Sequence, residues 1–165
     1  MTGRGGEDKA AVPKYALIER ERRWLVDPAR CPLDPAAPHV LIEDRYIDGT
    51  RLRLRRVTDV GQIVFKLTKK YEASDATARP IVTAYLTEAE FAVFATLPAC
   101  NLAKRRYVID GFTVDVFLGP LAPLMLAEIE SANDIDLQAI AAPAWAMTEM
   151  TADSSYQGGA LAARL

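Results

Sequence analysis

Charged residues recur two positions apart at four places in the chain: Glu19, Glu21 and Arg23; Arg53 and Arg55; Lys104 and Arg106; Glu128 and Glu130. On an extended strand, residues i, i+2 and i+4 project from one face, whereas a helix would spread them around its surface. Two carboxylates on one strand face suit a hard divalent cation, which takes oxygen ligands. They suit a charged strand facing water equally well, and Glu19 and Glu21 taken alone leave both readings open. The segment 51–70 holds seven cations (Arg51, Arg53, Arg55, Arg56, Lys66, Lys69, Lys70) against one acid, Asp59. Arg forks match phosphate oxygens, so this segment reads either as an anion-binding sheet face or as an amphipathic strand pair showing its arginines to water.

Both chemistries need strands, and the chain supplies them. Lys14 to Val26 reads as an opening strand, followed by a segment from Asp27 to Pro38 whose prolines exclude a strand interior. Val40 to Tyr46 reads as a second strand, and Asp48-Gly49 as its turn. Leu52-Arg53-Leu54-Arg55 alternates strictly, and a turn around Asp59-Val60-Gly61 leads into Gln62 to Thr68, which makes two successive hairpins. Glu72 to Arg79 is a polar loop, and Pro80 opens a strand over Ile81 to Leu86. Thr87 and Glu90 form a capping-box pair, predicting a helix through Phe91, Val93, Phe94 and Leu97 to Pro98 with these apolar residues facing the core. Strands are expected at Leu102 to Asp110, at Phe112 to Phe117 beyond the Asp110-Gly111 turn, and at Leu124 to Glu130. Residues 135–140 read as short helical material, Trp145 as a packing residue and residues 153–165 as a Gly- and Ala-rich tail.

Composition bounds the rest. The 165 residues, half of them hydrophobic, suit one domain over 14–165 behind a disordered leader at 1–13. The net charge of −2 gives no reason to expect nucleic acid or a membrane as partner. Cys31 and Cys100 make neither a disulfide framework nor a zinc site and read as free thiols. With no signal-peptide core and no membrane-length apolar run, a cytoplasmic protein is expected. His39, the one histidine, reads as a surface or packing residue. A Gly-rich phosphate loop, a Ser-His-Asp order and an HExxH pattern are all missing, which disfavours nucleophilic and zinc chemistry. A homodimer is compatible with the chain, though no apolar stripe singles out an interface.

Roughly eight strands in hairpins, charged at every second position, predict a mainly β protein: an eight-stranded antiparallel closed barrel with a polar interior and a few flanking helices. With the alternating charges inside, the lumen receives six cations (Arg23, Arg53, Arg55, Lys66, Lys104, Arg106) and five acids (Glu19, Glu21, Asp115, Glu128, Glu130). Buried charge on this scale is costly unless paired or ligand-bound. A polyanion held with Mg²⁺ or Mn²⁺ would account for it.

The run Glu19-Arg20-Glu21-Arg22-Arg23-Trp24-Leu25-Val26 resembles the E-x-E-x-K hallmark of the CYTH, or triphosphate tunnel metalloenzyme, superfamily. Leu52 to Arg56 is similar to that family's VRVRR strand, Phe65-Lys66 to the end of its LTIK strand, and Lys104-Arg105-Arg106-Tyr107 to its K-x-R-Y element. Val114 to Phe117 with Gly119, Ala127 to Glu130, and Thr151 to Tyr156 with Leu161-Ala162 resemble its later motifs in the same order. The resemblance implies a tunnel that binds a triphosphate through Arg53, Arg55, Lys66, Lys104 and Arg106. It implies metal at Glu19, Glu21, Glu128 and Glu130, and catalytic roles for Arg23 and for Asp115, the latter as a further metal ligand or a water-orienting group. Members hydrolyse inorganic triphosphate or small organic triphosphates, and some cyclise ATP to cyclic AMP. The expected function is therefore metal-dependent triphosphate hydrolysis, with a class IV-type adenylate cyclase and a non-catalytic polyphosphate- or nucleotide-binding protein as alternatives. Arg23 stands where the family has lysine, and Ile81-Val82-Thr83-Ala84 carries no acid where its fifth strand alternates glutamates. Tyr46, Tyr107 and Tyr156 are expected either to pack or to donate to phosphate.

Overall fold

The computed structural model describes residues 12–165, so all but the last two residues of the expected leader lie outside it. Eight strands close into an antiparallel barrel: β1 (Leu17–Val26), β2 (Val40–Ile47), β3 (Leu52–Asp59), β4 (Gln62–Lys70), β5 (Ala78–Leu86), β6 (Ala99–Ile109), β7 (Phe112–Phe117) and β8 (Met125–Glu130). Around the barrel the order is β5-β4-β3-β2-β6-β7-β8-β1, and β1 returns to β5 to complete the ring. That seam is short, running from Leu17 opposite Ile81 to Arg20 opposite Ala78.

Turn chemistry sets the meander. β3–β4 and β6–β7 are joined by two-residue turns in which Val60 and Gly61 (φ 40° and 81°) and Asp110 and Gly111 (φ 52° and 82°) all adopt positive φ. Those values match a type I′ hairpin turn, whose twist agrees with that of the flanking strands. Gly is unstrained there, and Asp tolerates the conformation. Val60 does not: its β-branched side chain, though exposed to solvent, is strained against its own backbone there.

Apolar residues pack in two places. On the outer face of β1, β7 and β8, Trp24, Phe112, Val114, Met125 and Ala127 bury against Trp145, with Cys31 and Leu33 of the Pro-rich segment alongside. Trp24 and Phe112, and Phe112 and Trp145, meet edge to face at 5.7 and 5.9 Å, the arrangement favoured by the ring quadrupole. The second cluster, Leu102, Phe117, Leu126, Leu161 and Ala162, fills one end of the barrel beneath α3 (Gly158–Ala162).

Apart from shifts at strand ends, which bring Ala78 and Arg79 out of the expected loop and into β5, two elements differ from the sequence expectation. The helix α1 (Glu88–Phe94) has the Thr87–Glu90 capping box but buries none of its residues. The barrel interior is charged, so this helix lies outside, with Phe91 stacked on Phe65 at 4.5 Å and Val93 left exposed. A ninth strand, β9 (Ala146–Glu149), pairs with Trp24 to Val26 of β1 along the edge that β5 leaves free. A short helix α2 (Asp134–Ala139) precedes it, capped by Asn133. Among the described residues, no helix is long and apolar enough to cross a membrane.

Candidate active site

Cross-strand register brings the charged pairs together. Glu21 lies opposite Glu130 and Arg23 opposite Glu128. Arg106 lies opposite Asp115, Asp44 opposite Arg55, and Arg53 opposite Thr68. Glu21, Glu130, Arg23, Glu128, Arg106, Arg55 and Arg53 face a cavity of about 270 Å³ inside the barrel. Among the described residues, eight cations (Arg23, Arg51, Arg53, Arg55, Lys70, Arg79, Lys104, Arg106) and four acids (Glu19, Glu21, Glu128, Glu130) line it.

The acids divide by partner. Carboxylate oxygens of Glu19, Glu21 and Glu130 lie within 4.8 Å of one another. Burial, then Glu128, pushes Glu21 above its ordinary range, and burial, then Glu19 and Glu128, does the same to Glu130. Lys70 Nζ relieves part of the strain by donating to Glu19 Oε2 at 2.6 Å, and Arg23 Nη2 by donating to Glu21 Oε1 at 2.7 Å. A compact donor set made only of carboxylate oxygen fits a hard cation. Glu128 is differently placed. Arg23 Nε donates to its Oε1 at 2.8 Å and Arg106 Nη2 to its Oε2 at 2.8 Å. Burial opposes its ionisation, but Arg23, Lys104 and Arg106 outweigh it and hold the carboxyl well below the carboxylate range.

Asp115 sits behind the cavity wall, 1 % exposed, and does not line the cavity. It accepts from Arg106 Nε and Nη2 at 2.6 and 2.7 Å, and from Lys104 Nζ. Burial draws Lys104 below its ordinary pKa despite that partner. Arg23 is nearly buried and makes a third bond, from Nη1 to Tyr156 O at 3.3 Å.

Lys66 is the expected anion ligand that does not line the cavity. It shares the face of Arg55 by register, but its Nζ lies 5.0 Å over the exposed Tyr85 ring. The tyrosines also divide. Tyr46 and Tyr156 line the cavity, whereas Tyr107 faces outward, donating to Pro35 O at 3.4 Å and packing on His39. Burial, then Asp44, pushes the Tyr46 hydroxyl up to about 12. Gly158 and Gly159 lie so close to Tyr46 that a Cβ on Gly158 would stand 1.9 Å from its hydroxyl oxygen.

Sequence reasoning missed Asp44, Arg79 and Gln157, and named Lys70 only among the cations of the 51–70 segment. Asp44, also 1 % exposed, accepts from Arg55 Nε at 2.6 Å and Nη2 at 2.7 Å. Although burial works against it, Arg55 holds its carboxyl low. Asp44 lies two positions before Tyr46, on an alternation that pointed to it. Lys70 closes a Lys66-x-Thr68-x-Lys70 series of the same kind. Arg79 and Gln157 carry no such signal.

No family model matches the chain. An inorganic triphosphatase of Nitrosomonas europaea is 45% identical over 155 residues, covering 88% of this chain and 97% of that one. The crystal structure of the inorganic triphosphatase NE1496 superposes with a TM-score of 0.54 at 23% identity, over 87% of this chain and 93% of that one. A protein of Pyrococcus horikoshii OT3 gives a TM-score of 0.51 at 16% identity, over 72% and 80%. At those identities the two structures speak for the barrel fold alone. The barrel, the order of its motifs and the Nitrosomonas relative agree: the chain belongs to the CYTH, or triphosphate tunnel metalloenzyme, family.

Proposed function

We propose that this protein hydrolyses inorganic triphosphate or a small organic triphosphate, with Mg²⁺ or Mn²⁺ held by Glu19, Glu21 and Glu130. The observation that carries the reading is one cavity in which three converging carboxylates share the walls with eight cations. The Nitrosomonas relative narrows the choice toward inorganic triphosphate. When bound, the metal would supply charge neutralisation and an acidified water.

Phosphoryl transfer needs positioning and electrostatic stabilisation more than covalent chemistry, and the chain's own residues suit that task. Arg53, Arg55, Lys104 and Arg106 bind phosphate oxygens. Asp44 and Asp115 set the planes and positions of those cations from behind and do not touch substrate. Arg23, whose charged form burial opposes but Glu128 and Glu21 more than restore, serves as a fixed positive charge rather than a proton carrier. Glu128, with both oxygens occupied by Arg23 and Arg106, would be available to hold metal only if one of those cations turned to the substrate. The free thiols of Cys31 and Cys100 support a reducing, cytoplasmic setting.

The test is purified protein with Mg²⁺ or Mn²⁺, offered inorganic triphosphate, ATP and thiamine triphosphate, with phosphate and cyclic AMP both measured. Metal-dependent phosphate release from triphosphate is expected. Cyclic AMP without phosphate release, or tight binding without turnover, would overturn the hydrolase reading.

A further inference from the structure

Of the eight cations lining the cavity, five hydrogen-bond a carboxylate of the barrel wall and Arg51 bonds Glu72 at the rim. The remaining two are Arg53, whose Nε is 3.8 Å from the nearest Asp44 oxygen, and Arg79. Among the described residues, Arg79 makes one side-chain hydrogen bond, from Nη1 to Gln157 Oε1 at 3.0 Å. A half-buried guanidinium carries five N–H donors, and a single neutral amide oxygen leaves most of them without a partner, with no ion pair at Arg79 among the described residues.

Position makes this more than a loose surface arginine. The β1–β5 seam sets Arg79 directly opposite Glu19, one of the three converging carboxylates. Pro80 holds the residue before it in extended geometry, which keeps the Arg79 side chain on the lumen face of a strand. An anion entering the cavity beside the carboxylate cluster would therefore meet Arg79 on the adjoining strand. Recruiting the wall cations means loosening charge-assisted bonds. Recruiting Arg79 exchanges one neutral hydrogen bond for a charged, fork-shaped one.

We infer that Arg79 is a triphosphate-binding residue, the phosphate ligand contributed by β5, parked on Gln157 until the anion enters. This rests on the triphosphate reading above and extends the anion site to a strand that carries none of its motif residues. Its chemical class of ligand is a phosphate oxygen of the polyanion.

The test is calorimetric binding of inorganic triphosphate with metal chelated, so that no turnover intervenes, for wild type, Arg79→Gln, Arg79→Lys and Gln157→Ala, each checked for folding by thermal melt. Loss of a charge-assisted fork predicts about 10- to 100-fold weaker binding for Arg79→Gln. Arg79→Lys should fall between it and wild type, and Gln157→Ala should bind as tightly as wild type or tighter. Mn²⁺ binding, followed separately by paramagnetic resonance, should not weaken in Arg79→Gln. A folded Arg79→Gln that binds triphosphate within twofold of wild type overturns the inference and leaves the proposed function standing. Absence of binding by wild type overturns both. Should Arg79→Gln not fold, Arg79→Lys decides: at least threefold weaker binding supports the role, and unchanged affinity refutes it.

Discussion

Replacing Asp44 by Asn keeps the shape of the side chain and removes the charge that faces Arg55. Asp44 is 1 % exposed and accepts two bonds from Arg55, at 2.6 and 2.7 Å. Hydrogen bonds to charged groups contribute about 1.5–3 kcal/mol each. Breaking a buried ion pair on one side costs about 3–5 kcal/mol, because the remaining charge is uncompensated. The two routes agree on a loss of about 3–5 kcal/mol. For a domain of this size each kcal/mol lowers Tm by about 2–4 °C, so Asp44→Asn should melt about 6–20 °C below wild type by circular dichroism at pH 7. Inorganic triphosphate, supplying the missing negative charge to Arg55, should restore more Tm in the variant than it adds to wild type. Since its partners hold the Asp44 carboxyl below its ordinary value, its contribution is complete above about pH 4 and is lost as pH falls through the lowered folded value. The gap between variant and wild type should close in strong acid. A Tm loss under about 3 °C, or equal stabilisation of both proteins by triphosphate, would show that Asp44 does not hold Arg55.

Three further outcomes are expected. Arg23→Lys cannot reproduce three bonds to Glu128, Glu21 and Tyr156 O; losing at least one charge-assisted bond, it should melt about 3–10 °C lower, and an unchanged melt would refute the role given to the fork. Glu21 and Glu130 bind protons more tightly in the folded state than in the unfolded chain, so their contribution to metal-free stability falls as pH rises through their raised values. Mg²⁺ should therefore raise Tm more at pH 8 than at pH 5, and an equal gain at both would count against these carboxylates as the metal ligands. Gly158→Ala sets a Cβ 1.9 Å from the Tyr46 hydroxyl oxygen, an overpacking expected to cost about 1–3 kcal/mol by chemical denaturation. Tyr46→Phe in the same chain should recover part of that loss, and strictly additive effects would show that the two do not meet.

The alternation of charge at Glu19-Glu21-Arg23, Arg53-Arg55, Lys104-Arg106 and Glu128-Glu130 depends only on the two-residue period of a strand. One stretch of sequence therefore suffices to set a wall of the cavity. Turn chemistry at Asp48-Gly49 and Asp110-Gly111 is equally local, and with it the antiparallel meander is legible. Which walls face one another is not local. Glu128 and Glu130 are alike in sequence, yet register sets one against Arg23 and the other against Glu21, making the first part of an ion-pair network and the second part of a carboxylate cluster. Lys66 shares the face of Arg55 and still stands over Tyr85 rather than in the cavity. Arg79 and Gln157 meet across 78 positions because β5 closes on β1 while the last helix caps one end of the barrel. Period, turns and the kind of charge belonged to the sequence. Partner, distance and residual charge came from closing the barrel, since long-range register decides which opposite charges cancel and which remain for a ligand.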